Sequence, residues 1–305
     1  MRELEAQQII TIKRLSENLM LNKSEDVQNI LDKASNVISD IVFYGAYIID
    51  EIRENDPYVN DHKKRIILLI LRDMLENIDS ISVLMKNGCT NGIIPIQRTV
   101  VELYLSILFI FKDNFEEKII AYDVCHINER ILAGKNILER GGIDNIQEKE
   151  INEKIKILKD ILSKNEYKTI NKKWINYTKK EHHAPNWYEI ISDKCTSIRK
   201  MAKKIDKLKV YDVIYSYYSK DTHGCLALLD YVCLDEEVFK IKSFRCPSVV
   251  SLLCKQNLII ANAVYEKVIE NHLPQLLEIE YENWYLEKHI KIKELEILEN
   301  KLNNK

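Results

Sequence analysis

The sequence predicts an all-α fold, and three observations carry that prediction. Only 7 Gly and 5 Pro interrupt 305 residues, too few breakers for an all-β chain, which needs turn residues every ~8–12 positions. Apolar residues recur at the helical period in segment after segment. One stretch, Val100–Phe111, is apolar on nearly every face, the mark of a helix buried all round. The architecture expected is a single helical bundle with a buried central helix and a protruding C-terminal helix.

The elements are taken in chain order. Residues 1–60 form an N-terminal helical segment in which Ile30, Leu31, Ala34, Val37, Ile38, Ile41 and Val42 keep the 3.6-residue period, and Asp56-Pro57 stops it. Residues 61–274 form the core domain. Its first helix runs from about Asp61 to Met85, with Ile66, Leu69, Ile70, Met74, Ile78 and Ile81 on one side, and Lys86-Asn87-Gly88 ends it. The central helix enters near Pro95 and continues to about Phe111. The next stretch, 115–140, ends at Gly141-Gly142. A break at His182-His183-Ala184-Pro185 precedes Asn186 and Glu189, which read as a capping box. Helices are expected over about Lys209–Leu234 and from near Pro247 to His272. Residues 275–305 form a charged C-terminal helix, a place for self-association or a partner protein.

A content of 46% hydrophobic and 30% charged residues is that of a globular chain. A net charge of -2 excludes a polyelectrolyte, so any nucleic-acid surface must be local. The 7 cysteines are odd in number and show neither a CxxC nor a C-x-x-H pair. That pattern fits reduced thiols in a cytoplasmic protein without a zinc site. Met1–Ile12 carries Glu3 and Glu5 and lacks the apolar core of a signal peptide. The run Val100–Phe111 is shorter than the ~20 residues that span a bilayer, so no membrane association is expected. The sequence also lacks a Gly-Lys-Ser/Thr phosphate loop and the GxGxxG, HExxH and GxSxG patterns. No metal or cofactor is expected.

Three groups of residues could carry chemistry. Arg98 and Glu102 are charges inside the apolar central helix, four residues apart and hence on one face. They are either an ion pair that fixes helix register or part of a site. Tyr215, Tyr218, Ser219, Thr222 and His223 follow the i, i+3, i+4, i+7, i+8 pattern of one helix face. His223 is the natural acid/base or phosphate contact, and the competing interpretation is a histidine satisfied within the core. Residues 168–209 hold 12 Lys and Arg against 4 Asp and Glu, interleaved with Trp174, Tyr177, His182, His183, Trp187 and Tyr188. Basic residues attract phosphates and aromatics stack on bases. A solvated lysine face over tryptophan anchors accounts for the same composition.

The segment Gly92-Ile93-Ile94-Pro95-Ile96-Gln97-Arg98-Thr99-Val100-Val101-Glu102, followed by Leu103 and Tyr104, resembles the LLRSLLE helix of a bacterial family, domain of unknown function 5677. Tyr215, Ser219 and His223 resemble its later Y…S…H helix, and Trp174 resembles a tryptophan between the two. The similar stretch covers about residues 65–235. This resemblance implies an all-helical domain and no established reaction. More distantly, the pattern resembles HEPN-type helical ribonucleases, many of them defence toxins. Their Arg precedes the His by four to six residues on one helix, a spacing that no Arg and His of this sequence show. The expected arrangement has His223, Ser219 and Tyr215 facing Arg98 and Glu102 in one buried or cleft-lining polar cluster, so that Arg98 meets His223 from another helix. That resemblance implies a metal-independent enzyme acting on RNA or a nucleotide. In it His223 is acid/base, Arg98 the phosphate clamp, Glu102 the residue orienting Arg98, and Ser219 a positioning group. Tyr215, Tyr218, Trp174, His182 and His183 are the binding candidates. The other class is a non-catalytic sensor or scaffold whose cluster binds a ligand or fixes the fold.

Overall fold

The computed structural model describes residues 25–56, 61–192, 194–222, 232–235, 238–241, 249–274 and 279–303, with backbone alone at 220–222, both strands, 279–280 and 303. Its helices are α1 (Glu25–Asn55), α2 (His62–Lys86), α3 (Thr90–Lys112), α4 (Phe115–Arg140), α5 (Asn145–Leu162), α6 (Asn165–Glu181), α7 (Trp187–Ile191) and α8 (Ile198–Lys204). The next, α9, is composite: α-helical at Leu208–Val210, π-helical at Tyr211–Tyr215 and α-helical again at Ser216–Thr222. α10 (Val250–His272) and α11 (Ile279–Asn303) complete the chain. The protein is all-α, with one addition. An antiparallel ribbon, β1 (Val232–Asp235) and β2 (Val238–Ile241), pairs Val232 with Ile241. It takes the residues where the sequence predicts the end of a helix, because Val232, Leu234, Val238, Phe239 and Ile241 favour an extended backbone.

The residues group into two compact units. The first comprises Met1–Pro57, Ile70–Tyr104 and Val210–Lys305, the second Tyr58–Leu69 and Leu105–Lys209. In the first, α1 packs on α10 and α11. Ile30, Leu31, Ala34, Ile38, Ile41 and Ile48 form its buried stripe at the helical period. Gly45 lies within that stripe because a Cβ there would meet Leu75 Cδ2 at 2.6 Å and the Tyr265 hydroxyl closer still. Tyr265 is held in place by a 2.7 Å hydrogen bond from its hydroxyl to the Ile41 carbonyl.

The C-terminal helix does not protrude. Tyr281, Lys288, Ile292 and Leu295 of α11 are buried, and Trp284 stacks on Tyr44 of α1 at 4.2 Å between centroids. These positions step by three or four residues along one face, whereas Leu286 and Ile290 face outward. Lys288 lies on the buried stripe by extending its ammonium to Asp40 of α1 at 2.7 Å.

In the second unit α4 is the hub, packed on α5, α6 and α7. Ile119, Val124, Ile127 and Ile131 of α4 meet a core that includes Ile155, Leu158, Tyr167, Ile170 and Trp174. α5 opens with a capping box in which Asp144 accepts from the Gln147 backbone at 2.8 Å and Gln147 reaches back to the Asp144 N–H at 3.2 Å. Lys118 is 2% exposed. Its ammonium donates to the Phe109 carbonyl at 2.7 Å, bonds Asp113 and lies over the Phe109 ring, thereby closing the last turn of α3.

The stops expected at Gly88 and Gly141 hold. Gly88 adopts φ 71°, and the Cys89 and Gly88 N–H groups close on Leu84 and Met85 in a Schellman arrangement that requires the left-handed residue. α3 starts at Thr90, earlier than Pro95 suggests. At 23 residues and a mean hydropathy of 1.6 it is long and apolar enough to cross a membrane, so run length alone does not exclude a span, and 61% of its apolar window is buried within the protein. Among the described cysteines, Cys125, Cys195 and Cys254 are buried, Cys89 is half-buried, and all four are thiols.

Candidate functional site

The first unit brings together three of the residues singled out from sequence. Arg98 and Glu102 lie one turn apart on α3, and Arg98 Nε is 3.2 Å from Glu102 Oε1. Tyr215, from α9, closes the cluster. It donates its hydroxyl to Glu102 Oε1 at 2.7 Å and accepts from Arg98 Nη2 at 3.0 Å. The guanidinium carbon also lies 5.0 Å from the centre of the Tyr215 ring, in cation–π range. The Arg98 and Glu102 side chains are 29% and 37% exposed, while Tyr215 is buried. The result is a cation fixed in direction and still reached by solvent.

The local backbone explains how Tyr215 arrives there. Tyr215 ends the π-helical turn of α9, where the Ser216 N–H bonds to the Tyr211 carbonyl five residues back. The extra residue in that turn rotates the later part of α9 relative to its start. Within that turn Tyr211 stacks on Tyr215 at 4.9 Å between ring centroids.

Burial disfavours the charged form of both groups, and their partners act on top of that. For Arg98 the burial penalty is more than offset by Tyr215 and Glu102, so its pKa lies above the usual arginine value. For Tyr215, burial and then the hydrogen bond to Glu102 push the phenol up to about 12, with Arg98 pulling the other way. At neutral pH the tyrosine is therefore a proton donor to the carboxylate.

A second polar set lies on the same helices and on α10; of its residues only Tyr218 is among those singled out from sequence. Tyr218 donates to Gln256 at 2.7 Å. Asn257 donates to Gln97 Oε1 at 2.8 Å and to the Leu253 carbonyl at 2.9 Å. Gln97 and Asn257 are both 0% exposed, and Gln97 Nε2 and Asn257 Oδ1 meet no protein partner among the described residues. Orphaned amide atoms in a core are rare and costly. The available signal was Asn257 at the core spacing of Leu253, Cys254, Leu258 and Ala261, with Gln97 adjacent to Arg98.

The other candidates do not join this cluster within the described residues. Ser219 is half-buried on α9, one turn beyond Tyr215. His223 lies outside the described residues. Trp174, His182 and His183 belong to the second unit. Trp174 is buried in its core. His182 and His183 are exposed, His182 in a left-handed conformation that ends α6, His183 edge-on to Tyr177 at 5.6 Å.

A family model described as a family of unknown function (DUF5677) matches residues 64–239. That range contains Arg98, Glu102 and Tyr215. Neither a curated protein nor a solved structure matches the chain.

Proposed function

This chain belongs to the family of unknown function DUF5677, and from its own side chains we propose that the Arg98–Glu102–Tyr215 cluster is the phosphate-recognising part of a site directed at RNA or a nucleotide. One observation carries the proposal. The guanidinium of Arg98, a side chain 29% exposed, is held in direction by a carboxylate on its own helix and by a phenol from another. Such pre-orientation is what a phosphate clamp needs, because the ordering cost is met before the ligand arrives. Glu102 and Tyr215 orient Arg98, and His223, on the chain just beyond α9, supplies or takes the proton. The chemistry would be metal-independent, in the manner of the HEPN-type ribonucleases that the sequence resembles. The setting would be a cytoplasmic defence or toxin effector.

A non-catalytic role is favoured by a different observation. Glu102 already balances the Arg98 charge, and the buried Gln97–Asn257 pair joins the same helix to α10. A ligand sensor or scaffold would use the cluster to bind or to fix the fold, without turnover.

The two readings separate in one assay. Purified protein is incubated with a panel of labelled RNAs beside Arg98→Ala and His223→Ala variants whose circular dichroism matches the wild type. The enzyme reading expects cleavage by the wild type and loss in both variants. Intact RNA across the panel rejects it in favour of the binding role. Cleavage surviving in a folded Arg98→Ala variant removes this cluster from the reaction.

A further inference from the structure

The second unit carries a groove of about 1000 Å³ between α6, α7 and the chain just after α7, and no residue of the Arg98 cluster contributes to it. Lys173, Tyr177, Lys180, Ser192 and Thr196 are in its lining, together with the carboxylates Glu181 and Glu189. Two more lysines reach its hydroxyls. Lys200 donates to Thr196 Oγ1 at 2.8 Å and Lys204 to Ser192 Oγ at 3.1 Å. Two lysines thus stand in the groove wall and two more hold its rim hydroxyls, within the 168–209 stretch that holds 12 basic and 4 acidic residues.

The carboxylates nearby are engaged in ways that leave this character intact. Glu189 accepts from the Asn186 backbone at 2.7 Å, the Asn186 amide at 2.9 Å and the Tyr177 hydroxyl at 3.3 Å, so it serves to hold α7. Glu181 pairs with Lys180 at 2.8 Å and Glu117 with Lys173 at 3.0 Å. Both are exposed pairs of the kind that add little stability, and a phosphate can exchange for either carboxylate. Tyr177 places a half-buried ring in the lining, with the exposed His183 ring against it. Lys173 and Lys180 lie two turns apart on α6, about 10 Å along the axis. Separated, flexible cations around an aromatic ring suit a repeating backbone phosphate with a base on the ring, more than one small ligand held in one orientation.

We propose that this groove seats a single-stranded polynucleotide, with Lys173, Lys180, Lys200 and Lys204 on backbone phosphates and Tyr177 against a base. The inference stands apart from the Arg98 site: it concerns where the strand is held, and it survives if nothing is cleaved.

The probe is a fluorescein-labelled 20-nucleotide oligouridine, titrated by anisotropy between 50 and 300 mM salt. Log affinity should fall linearly with log salt, by about 0.7 for each phosphate neutralised. The Lys173→Gln, Lys180→Gln double variant should bind at least tenfold more weakly at low salt, with a slope smaller by about 1.4 because two phosphates are no longer neutralised. Tyr177→Leu should weaken binding with the slope unchanged. A Lys149→Gln, Lys154→Gln variant, which removes two exposed lysines of α5, should bind like the wild type. The proposal is overturned if oligouridine fails to bind at 50 mM salt, if the groove variants match the wild type, or if the α5 variant loses as much as they do. Wild-type binding that depends on Arg98 alone also overturns it, while leaving the phosphate-clamp reading in place.

Discussion

Tyr215 gives its hydroxyl proton to Glu102 at 2.7 Å across 113 residues of sequence, and the same oxygen accepts from Arg98. One phenol thus ties the α9 helix to both members of an ion pair on α3. Tyr215→Phe removes that oxygen and keeps the ring, the stack on Tyr211 and the Arg98–Glu102 pair. Hydrogen bonds to charged groups contribute about 1.5–3 kcal/mol each. The variant should lose about 2 kcal/mol in urea unfolding, since half-exposed partners regain water. A loss below about 0.5 kcal/mol would mean that the hydroxyl bonds water in solution.

The same burial makes the protein alkali-sensitive. Tyr104, Tyr215 and Tyr218 are all pushed up to about 12, in each case chiefly by burial. Between pH ~10, where the unfolded phenols ionise, and about 12, the folded state retains protons that the unfolded state has lost. Stability from these groups is complete below pH ~10 and falls as pH rises through the folded values. Urea midpoints should be level from pH 8 to 9.5 and drop from pH 10 to 11.5, with phenolate absorbance at 295 nm lagging that of the urea-unfolded chain. Level midpoints across the whole range would contradict burial of these rings.

Much of this site was legible in the sequence, for identifiable reasons. Arg98 and Glu102 stood out because charges in an otherwise apolar helix demand an account, and Tyr215 stood out by its place on a polar stripe. That Tyr215 faces Arg98 and Glu102 is the expectation from the two polar faces; the π-helical turn of α9 that leads up to Tyr215 was not legible, because simple helical spacing does not signal it. The packing of α11 was hidden because its buried stripe includes Lys288, whose charge masks a buried aliphatic stem. The separation of Trp174, His182 and His183 from the Arg98 cluster is a matter of which helices pack together, and local periodicity holds no such information.

Gly45 offers a test of the first unit's packing. The position is on a regular helix, so Gly45→Ala would ordinarily gain roughly 0.5–1 kcal/mol from backbone entropy. Here the new methyl meets the Tyr265 hydroxyl, which is fixed on the Ile41 carbonyl at 2.7 Å, and overpacking costs roughly 1–3 kcal/mol. The net expected is destabilisation by about 1 kcal/mol, with the Tyr265 ring displaced. Gly45→Ala in a Tyr265→Phe background should recover part of the loss. A stabilised single variant would show that α1 and α10 lie farther apart at this point.

Asp56 and His272 form the most deeply buried ionisable pair among the described residues, with Nδ1 2.9 Å from the carboxylate oxygen and side chains 1% and 2% exposed for His272 and Asp56 respectively. Asp56 comes directly after α1 and His272 ends α10, so the contact ties together the C-terminal ends of two long helices. Removing one partner leaves the other buried without its counterpart, which costs about 3–5 kcal/mol. Asp56→Ala and His272→Ala should each lose about that much in urea unfolding. The double variant should lose clearly less than the sum, because the second removal relieves the group orphaned by the first. Losses that simply add would show that the two side chains act separately, and that the helix ends are held by the apolar residues around them.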